Sequence, residues 1–236
     1  MDGKENKNNN YFETWQPDAF ADQANYQKTL RFFSSPFICG DVLDIGCGSR
    51  VYYNCKNLRS WTGIDVSMAM MDKVVFFDEI SSEKIKMSQG DAVEPEFDDN
   101  SFDTICSFFV IHHLARKNEI ESRRRVLSAL QNAYRMLRPG GTLVVAENAA
   151  GPFERPYHLF YSLFYSAAKK LFKIEMPYFW RKKDFIEISR EAGFSEVQYM
   201  HTKIDEWIYN PVLRIKLPPV LSSSLFQTMT LYVLKK

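Results

Sequence analysis

The sequence lacks several features that would assign it directly to a functional class. Its four cysteines, Cys39, Cys47, Cys55 and Cys106, form no Cys-x-x-Cys pair and no cluster with histidine, so neither a zinc site nor a disulfide framework is predicted. No run approaches the roughly 20 apolar residues of a membrane-spanning helix. The first ten residues are polar and lack the apolar core of a secretion signal. We therefore expect a cytoplasmic, reduced protein that binds no metal.

An excess of charge of one sign is also lacking. The net charge is +1, so no bulk electrostatic attraction to nucleic acid is expected. The 236 residues are 45% hydrophobic, which is enough for one sizeable core. Aromatic residues make up 15% of the chain, and either a large core or an apolar substrate site would use them.

Apolar strand patterns alternate with helical patterns along most of the chain. The strand patterns are "DVLDI", "WTGIDVS", "KIKMSQGDA", "FDTICSFFVI" and "TLVVAEN", followed near the end by "FSEVQYMHTK" and "TMTLYVLKK". Between the fourth and fifth, apolar residues from Val126 to Leu137 recur at helical spacing. The pattern predicts an α/β fold, a doubly wound and mostly parallel seven-stranded sheet with helices on both faces and an antiparallel strand near one edge.

The predicted organisation has five parts. They are a disordered tail over 1–10, an N-terminal helical cover over 11–40, an α/β core over 41–150, an insertion over 151–183 and the C-terminal part of the core over 184–236. The insertion follows the fifth strand, carries aromatic residues on one helical stripe and is rich in lysine and arginine. We interpret it as a helical lid that packs its aromatic stripe on the domain. Peripheral contact of its 153–173 helix with a membrane surface is the alternative.

The motif "DIGCG" ends the first strand, where doubly wound sheets bind ligands. Gly46 and Gly48 would let the backbone approach a ligand where a Cβ would collide. Asp65, at the end of the second strand, can accept both hydroxyls of a ribose. Val51 stands where a dinucleotide fingerprint has its third glycine, and no Gly-Lys-Ser/Thr is present, so neither a dinucleotide fingerprint nor a P-loop is predicted. Asp44 would repel phosphate and could attract a cationic amino group.

Five motifs occur in order between Asp41 and Glu147: "VLDIGCGS", "GIDVSMAMM", "GDAVEPEFDDNSFDTI", "FVIHHL" and "AYRMLRPGGTLVVAE". In order and spacing they resemble the class I S-adenosylmethionine-dependent methyltransferases of the small-molecule, "methyltransferase 11"-like kind. The resemblance implies S-adenosyl-L-methionine as cofactor and methyl transfer by in-line displacement to a small-molecule acceptor, with apolar, aromatic or lipid-like acceptors favoured. The alternatives are a cofactor-binding partner subunit without catalysis and an RNA or protein methyltransferase.

The resemblance also implies roles for single residues. Asp65 would hold the ribose hydroxyls, and Asp91 the adenine amino group. His113 is the candidate general base, and packing or capping of the next loop is the other interpretation. The full predicted cofactor-binding set is Asp44, Gly46, Cys47, Gly48, Asp65, Val66, Met70, Asp91, Ala92 and Phe108, and the candidate substrate contacts are Glu147, Tyr157 and Tyr161.

Overall fold

The computed structural model describes residues 24–150, 154–172, 176–202, 208–210, 215–217 and 227–236. The tail predicted over 1–10 and the first part of the predicted cover lie outside these ranges. None of the helices in the described ranges is long and apolar enough to cross a membrane.

Within the described residues, seven strands form one sheet and two short strands pair separately. They are β1 (Gly40–Ile45), β2 (Leu58–Asp65), β3 (Ile85–Gln89), β4 (Phe102–Phe108), β5 (Leu137–Ala150), β6 (Glu196–Thr202), the separate β7 (Ile208–Asn210) and β8 (Ile215–Leu217), and β9 (Gln227–Lys235). The sheet order is β3-β2-β1-β4-β5-β9-β6. Pairs from β3 to β5 are parallel, and β9 is antiparallel to both of its neighbours. The predicted doubly wound sheet is confirmed.

The α-helices of the described ranges are α1 (Ala24–Ser34), which precedes β1, and α2 (Met68–Met71), α3 (Glu119–Met136), α4 (Glu154–Phe172) and α5 (Lys182–Glu191), which lie between strands. At the start of α3, the side chain of Asn118 accepts from the backbone N–H of Glu121 at 2.9 Å, which caps the helix. The predicted helical spacing continues to Leu137, but that residue begins β5. A proline two residues later cannot continue the helical hydrogen bonds, so the chain leaves the helix at Met136.

The apolar core lies on both faces of the sheet. Successive side chains of a strand point to opposite faces, and the neighbours Val42 and Leu43 of β1 accordingly belong to two different apolar clusters. The cluster of Leu43 includes residues of α3, α4 and α5, and the cluster of Val42 includes Leu30 of α1. The strand order reverses between β1 and β4, so a ligand crevice is expected at the carboxyl ends of these two strands.

Candidate functional site

Both glycines of the turn after β1 have left-handed backbone conformations. The φ angle is +69° at Gly46 and +55° at Gly48, values that other residues rarely adopt. A Cβ on Gly46 would lie 2.3 Å from Cγ2 of Val110, whereas a Cβ on Gly48 would meet its nearest atom at 3.9 Å. Gly46 is therefore required by the protein's own packing, and Gly48 presents an open face that a ligand can approach.

Asp65 ends β2 with its carboxylate fixed by the backbone. The N–H of Gly48 donates to Oδ2 and the N–H of Ser67 donates to Oδ1, both at 2.9 Å. Burial raises the pKa of this carboxyl, and the bonds from Ser67 and Gly48 oppose the rise. The hydroxyl oxygen of Ser67 is buried next to this acid without a hydrogen-bond partner among the described residues. The glycine turn and Asp65 are thus joined by a hydrogen bond, and the Asp65 carboxylate is an oriented hydrogen-bond acceptor.

Asp44 lies beneath the turn, 2% exposed, at the end of a buried chain of hydrogen bonds. The indole N–H of Trp61 donates to the hydroxyl of Tyr53, which donates to Oδ2 of Asp44, each at 2.8 Å. Burial raises the pKa of Asp44 to about 7, and a cation beside it would favour the ionised form. Sequence reasoning missed Tyr53 and Trp61, because no motif marks them.

Asp91, predicted to hold an adenine amino group, follows β3 and remains about half exposed. Its Oδ1 accepts from the N–H of Val93 at 2.9 Å, and its Oδ2 lies 3.5 Å from a guanidinium nitrogen of Arg125. The other predicted cofactor residues follow the carboxyl ends of neighbouring strands or end them: Cys47, Val66, Met70, Ala92 and Phe108. The structure therefore places the whole predicted set along one edge of the sheet.

A buried histidine–carboxylate pair joins the turn after β4 to the second half of β5. Glu147 of β5 is 7% exposed and His112 is 8% exposed. The N–H of Ile111 donates to Oε1 of Glu147 at 2.7 Å, and Nδ1 of His112 lies 2.7 Å from Oε2. A carboxylate can only accept, so this contact places a proton on Nδ1 and leaves Nε2 with the lone pair.

His113, the candidate base from the sequence, lies in the same turn, with its ring 4.1 Å from the ring of His112. Burial, with a smaller effect from His112, lowers the pKa of His113 well below 6.5. The structure thus brings the predicted substrate residue Glu147 to His112. The motif "IHHL" does not distinguish two adjacent histidines, because the difference arises from the register of β4 against β5.

Residues 176–180 cover the His112–Glu147 pair. The ring of Phe179 stacks on His112 with centroids 5.5 Å apart and planes 30° apart. The N–H of Tyr178 donates to the carbonyl of His112 at 2.9 Å. The backbone and a side chain of this segment therefore both contact the histidine.

The two tyrosines predicted to contact substrate, Tyr157 and Tyr161, hold this covering segment in place from α4. The hydroxyl of Tyr161 donates to the carbonyl of Met176 at 3.0 Å, and the hydroxyl of Tyr157 donates to the carbonyl of Pro177. The ring of Tyr157 lies 6.0 Å from that of Phe179. The ring of Phe179 therefore lies in contact with both Tyr157 and His112.

The residues present fit S-adenosylmethionine. The open face at Gly48 leaves room that a Cβ would occupy, the oriented carboxylate of Asp65 suits a ribose diol, and the buried acid Asp44 suits a cationic amino group. In the part of the chain that the structure describes, no group of three or more histidines, cysteines or acids could hold a metal ion.

Residues 43–145 match the family model described as a methyltransferase domain. A demethylmenaquinone methyltransferase of Staphylococcus aureus is 31% identical over 150 residues, which cover 58% of this chain and 58% of that protein. This chain thus spans little more than half the length of the curated relatives it matches.

Solved structures share the fold over almost the whole chain. The methyltransferase in the complex with the Haloferax volcanii Trm112 methyltransferase activator has a TM-score of 0.63 at 19% identity, covering 95% of this chain and 96% of that one. Phosphoethanolamine N-methyltransferase 2 of Haemonchus contortus, in complex with phosphomonomethylethanolamine and S-adenosylhomocysteine, has a TM-score of 0.56 at 15% identity, covering 90% and 52%. At these identities the likeness shows the fold.

Proposed function

Residues 43–145 match a methyltransferase-domain model, and we propose that this chain is a class I S-adenosylmethionine-dependent methyltransferase that methylates a small apolar acceptor. The acceptor would bind between the carboxyl ends of β4 and β5 and the cover formed by α4 and residues 176–180. The buried His112–Glu147 pair carries the proposal, because Val110, two residues before His112, packs against Gly46 of the glycine turn. A proton acceptor thus adjoins the proposed cofactor cradle.

Within the cradle, Asp65 would hold the ribose hydroxyls, Asp91 the adenine amino group and Asp44 the cationic amino group. When bound, S-adenosylmethionine supplies a methyl group on a positively charged sulfur, open to in-line displacement by a nucleophile. The chain's own task is to orient the acceptor, to exclude water and to remove a proton. Orientation alone can lower a barrier by ~7–11 kcal/mol.

His112 is the group that would remove the proton. Its Nδ1–H is held by Glu147, so Nε2 can accept a proton from an O–H or an acidified C–H of the acceptor. The ionised Glu147 then stabilises the imidazolium that forms. Because the N–H of Ile111 binds the other carboxylate oxygen, the orientation of Glu147 is fixed from the backbone.

The surroundings of His112 favour an apolar or aromatic acceptor. Tyr157 and Phe179 supply aromatic surface close to it, and burial raises the pKa of the Tyr157 hydroxyl well above 10, so this hydroxyl is neutral. A site lined by uncharged aromatic side chains favours apolar ligands over charged ligands. The name of the Staphylococcus aureus relative supports the same class, so demethylmenaquinone in its reduced form is the first acceptor to assay.

Binding and turnover test the proposal separately. Calorimetry with S-adenosylhomocysteine should show binding to the unchanged chain and a loss of roughly tenfold or more in affinity for Asp65→Ala. The Glu147→Gln variant should keep that affinity and lose roughly a hundredfold in turnover. The glutamine amide can donate to Nδ1, which would move the histidine proton to Nε2.

His113→Gln is the matched variant in the same turn, and its loss of turnover should be the smaller one. A greater loss in His113→Gln than in Glu147→Gln would instead support His113 as the base. Cofactor binding by the unchanged chain without product from any apolar acceptor would support a non-catalytic binding module and overturn the proposal.

A further inference from the structure

The outward side of α4 carries an unusual concentration of exposed apolar side chains. Leu159, Leu163 and Leu171 are 76%, 65% and 68% exposed, and Phe160 and Phe164 are each nearly half exposed. Among the other helices and strands, wherever the structure describes the side chains, no element exposes more than one large apolar side chain. We call these five residues the outer apolar face of α4.

The outer apolar face cannot turn into the core, because the opposite side of α4 is already packed there. Tyr161 and Tyr165 are 2% and 4% exposed and belong to the apolar cluster of the sheet. The rings of Tyr161 and Tyr178 meet edge to face at 4.7 Å. Because α4 is apolar both on its core side and on this exposed side, we expect a second surface to cover the outer apolar face.

Basic side chains border the same helix. Lys169 and Lys170 lie in its last turns, and a cavity of about 370 Å³ separates them from the loop that carries Arg116 and Lys117. The full lining is Arg116, Lys117, Glu121, Tyr165, Ser166, Lys169 and Lys170. Four basic groups and one acid give this rim a positive charge, although the whole chain has a net charge of +1.

We propose that the outer apolar face of α4 and its basic rim dock this chain on the surface of an anionic lipid bilayer. Interfacial helices combine an apolar face with lysine and arginine at its border, and anionic headgroups attract such a border. Protein–protein interfaces are instead depleted in lysine. The combination of leucine, phenylalanine and lysine therefore favours lipid over a protein partner.

Docking in this orientation would place the acceptor site directly behind the membrane contact. α4 holds residues 176–180 through Tyr157 and Tyr161, and Phe179 of that segment stacks on His112. This placement of the acceptor site depends on the proposed function, whereas the docking itself depends on the surface alone.

Vesicle sedimentation with the full chain tests the docking without cofactor or acceptor. The unchanged chain should sediment with vesicles of phosphatidylglycerol and phosphatidylcholine and should remain in solution with phosphatidylcholine alone. Leu163→Ser combined with Leu171→Ser should reduce the affinity for the anionic vesicles by roughly tenfold or more. Phe32→Ser combined with Ile120→Ser, which alters side chains equally apolar and 74% exposed on α1 and α3, is the control that should bind as the unchanged chain does.

A charge reversal tests the rim separately. Lys169→Glu with Lys170→Glu should weaken binding by roughly tenfold or more, and the matched reversal of two exposed lysines elsewhere, Lys56→Glu with Lys73→Glu, should weaken it less. Urea unfolding of every variant checks that the fold is retained.

Two results would overturn the docking proposal. One is the absence of anionic-vesicle binding by the unchanged chain. The other is a stable dimer in analytical ultracentrifugation that the leucine variants dissociate, since a second copy would then cover the face. Vesicle binding together with a failed methyl-transfer assay would overturn the proposed function and leave the docking intact.

Discussion

Asp44 lies beneath the glycine turn with its carboxyl 2% exposed. Burial raises its pKa to about 7, and the hydroxyl of Tyr53 opposes the rise. In an unfolded chain an aspartate titrates near pH 3.9, so the folded protein holds this proton more tightly. Stability should therefore fall as pH rises from about 4 to about 7, while the unfolded chain ionises and the folded chain does not, and this effect should be constant above pH 7. A cation bound beside Asp44 would favour its ionised form and would thereby remove this loss of stability.

The Asp44→Asn variant should be more stable than the unchanged chain at pH 8, by up to ~4 kcal/mol. The asparagine oxygen still accepts from Tyr53, so the substitution removes the charge and retains the hydrogen bond. Urea unfolding at a series of pH values measures the gain, which should shrink toward zero near pH 4. Asp72→Asn, at an exposed aspartate, is the control and should show little gain. Equal gains for Asp44→Asn at pH 4 and pH 8 would contradict the assignment.

Among the elements, polar contacts join α1 both to the loop that follows the glycine turn and to the segment between α2 and β3 that carries Asp78. Asp78, whose side chain is 8% exposed, pairs with Arg31 of α1 and accepts from the N–H of Cys55 at 3.1 Å. Arg50 donates to the side-chain oxygen of Gln27, also in α1, at 2.6 Å. These contacts fasten α1 over the side of the site that carries the turn.

The Asp78→Ala variant should loosen α1, because it removes the contact of Arg31 with the segment between α2 and β3. It removes the acceptor of two buried or half-buried donors, which should cost about 1–3 kcal/mol of unfolding free energy. Hydrogen exchange should accelerate at the amides of 24–34 more than in α3. Asp99→Ala is the matched control, because Asp99 is 65% exposed and pairs with Arg135 at the surface, where an ion pair contributes ~1 kcal/mol or less. Uniform acceleration over the whole chain would show that Asp78 does not act on α1 specifically.

The elements that the sequence predicts well are those whose burial leaves a regular pattern of apolar residues, either a continuous run or a helical stripe. β1 and β4 read as continuous apolar runs because both of their faces are covered, and α3 shows its buried stripe through Val126, Leu130 and Ala133. The glycine turn and Asp65 were found from the chemistry that a strand end must supply, and the structure joins them by a hydrogen bond.

The acceptor side of the site was only partly predictable. Glu147 was predicted from the end of the strand pattern "TLVVAEN", whereas β5 continues to Ala150. Its pairing with His112 depends on the register in which Phe108 of β4 faces Ala146 of β5. That register is set by tertiary packing and leaves no local pattern. The same holds for the stacking of Phe179 on His112, which joins residues of the turn after β4 to a segment beyond α4.

On the scale of the whole molecule, the sheet divides the site into two halves. The proposed cofactor cradle comes mainly from the ends of β1, β2 and β3, with Phe108 at the end of β4. The His112–Glu147 pair lies on the turn after β4 and on β5, and its cover comes from α4 and residues 176–180. The halves meet where the strand order reverses, between β1 and β4. Val110 crosses this junction by packing on Gly46, so the relative position of the two halves is fixed by the sheet itself.

Because one sheet separates the two apolar clusters and contributes side chains to both, the domain should unfold as a single unit. Leu30 of α1 is completely buried in one cluster, and Leu130 of α3 is 1% exposed in the other. Leu30→Ala and Leu130→Ala should each cost about 2–5 kcal/mol and shift the same urea transition without a change in its slope. Tryptophan fluorescence and far-ultraviolet circular dichroism should give coincident curves in both variants. If the cluster around Leu30 were an independent unit, Leu30→Ala would instead split the curve into two steps, and the coupling of the two faces through the strands would be refuted.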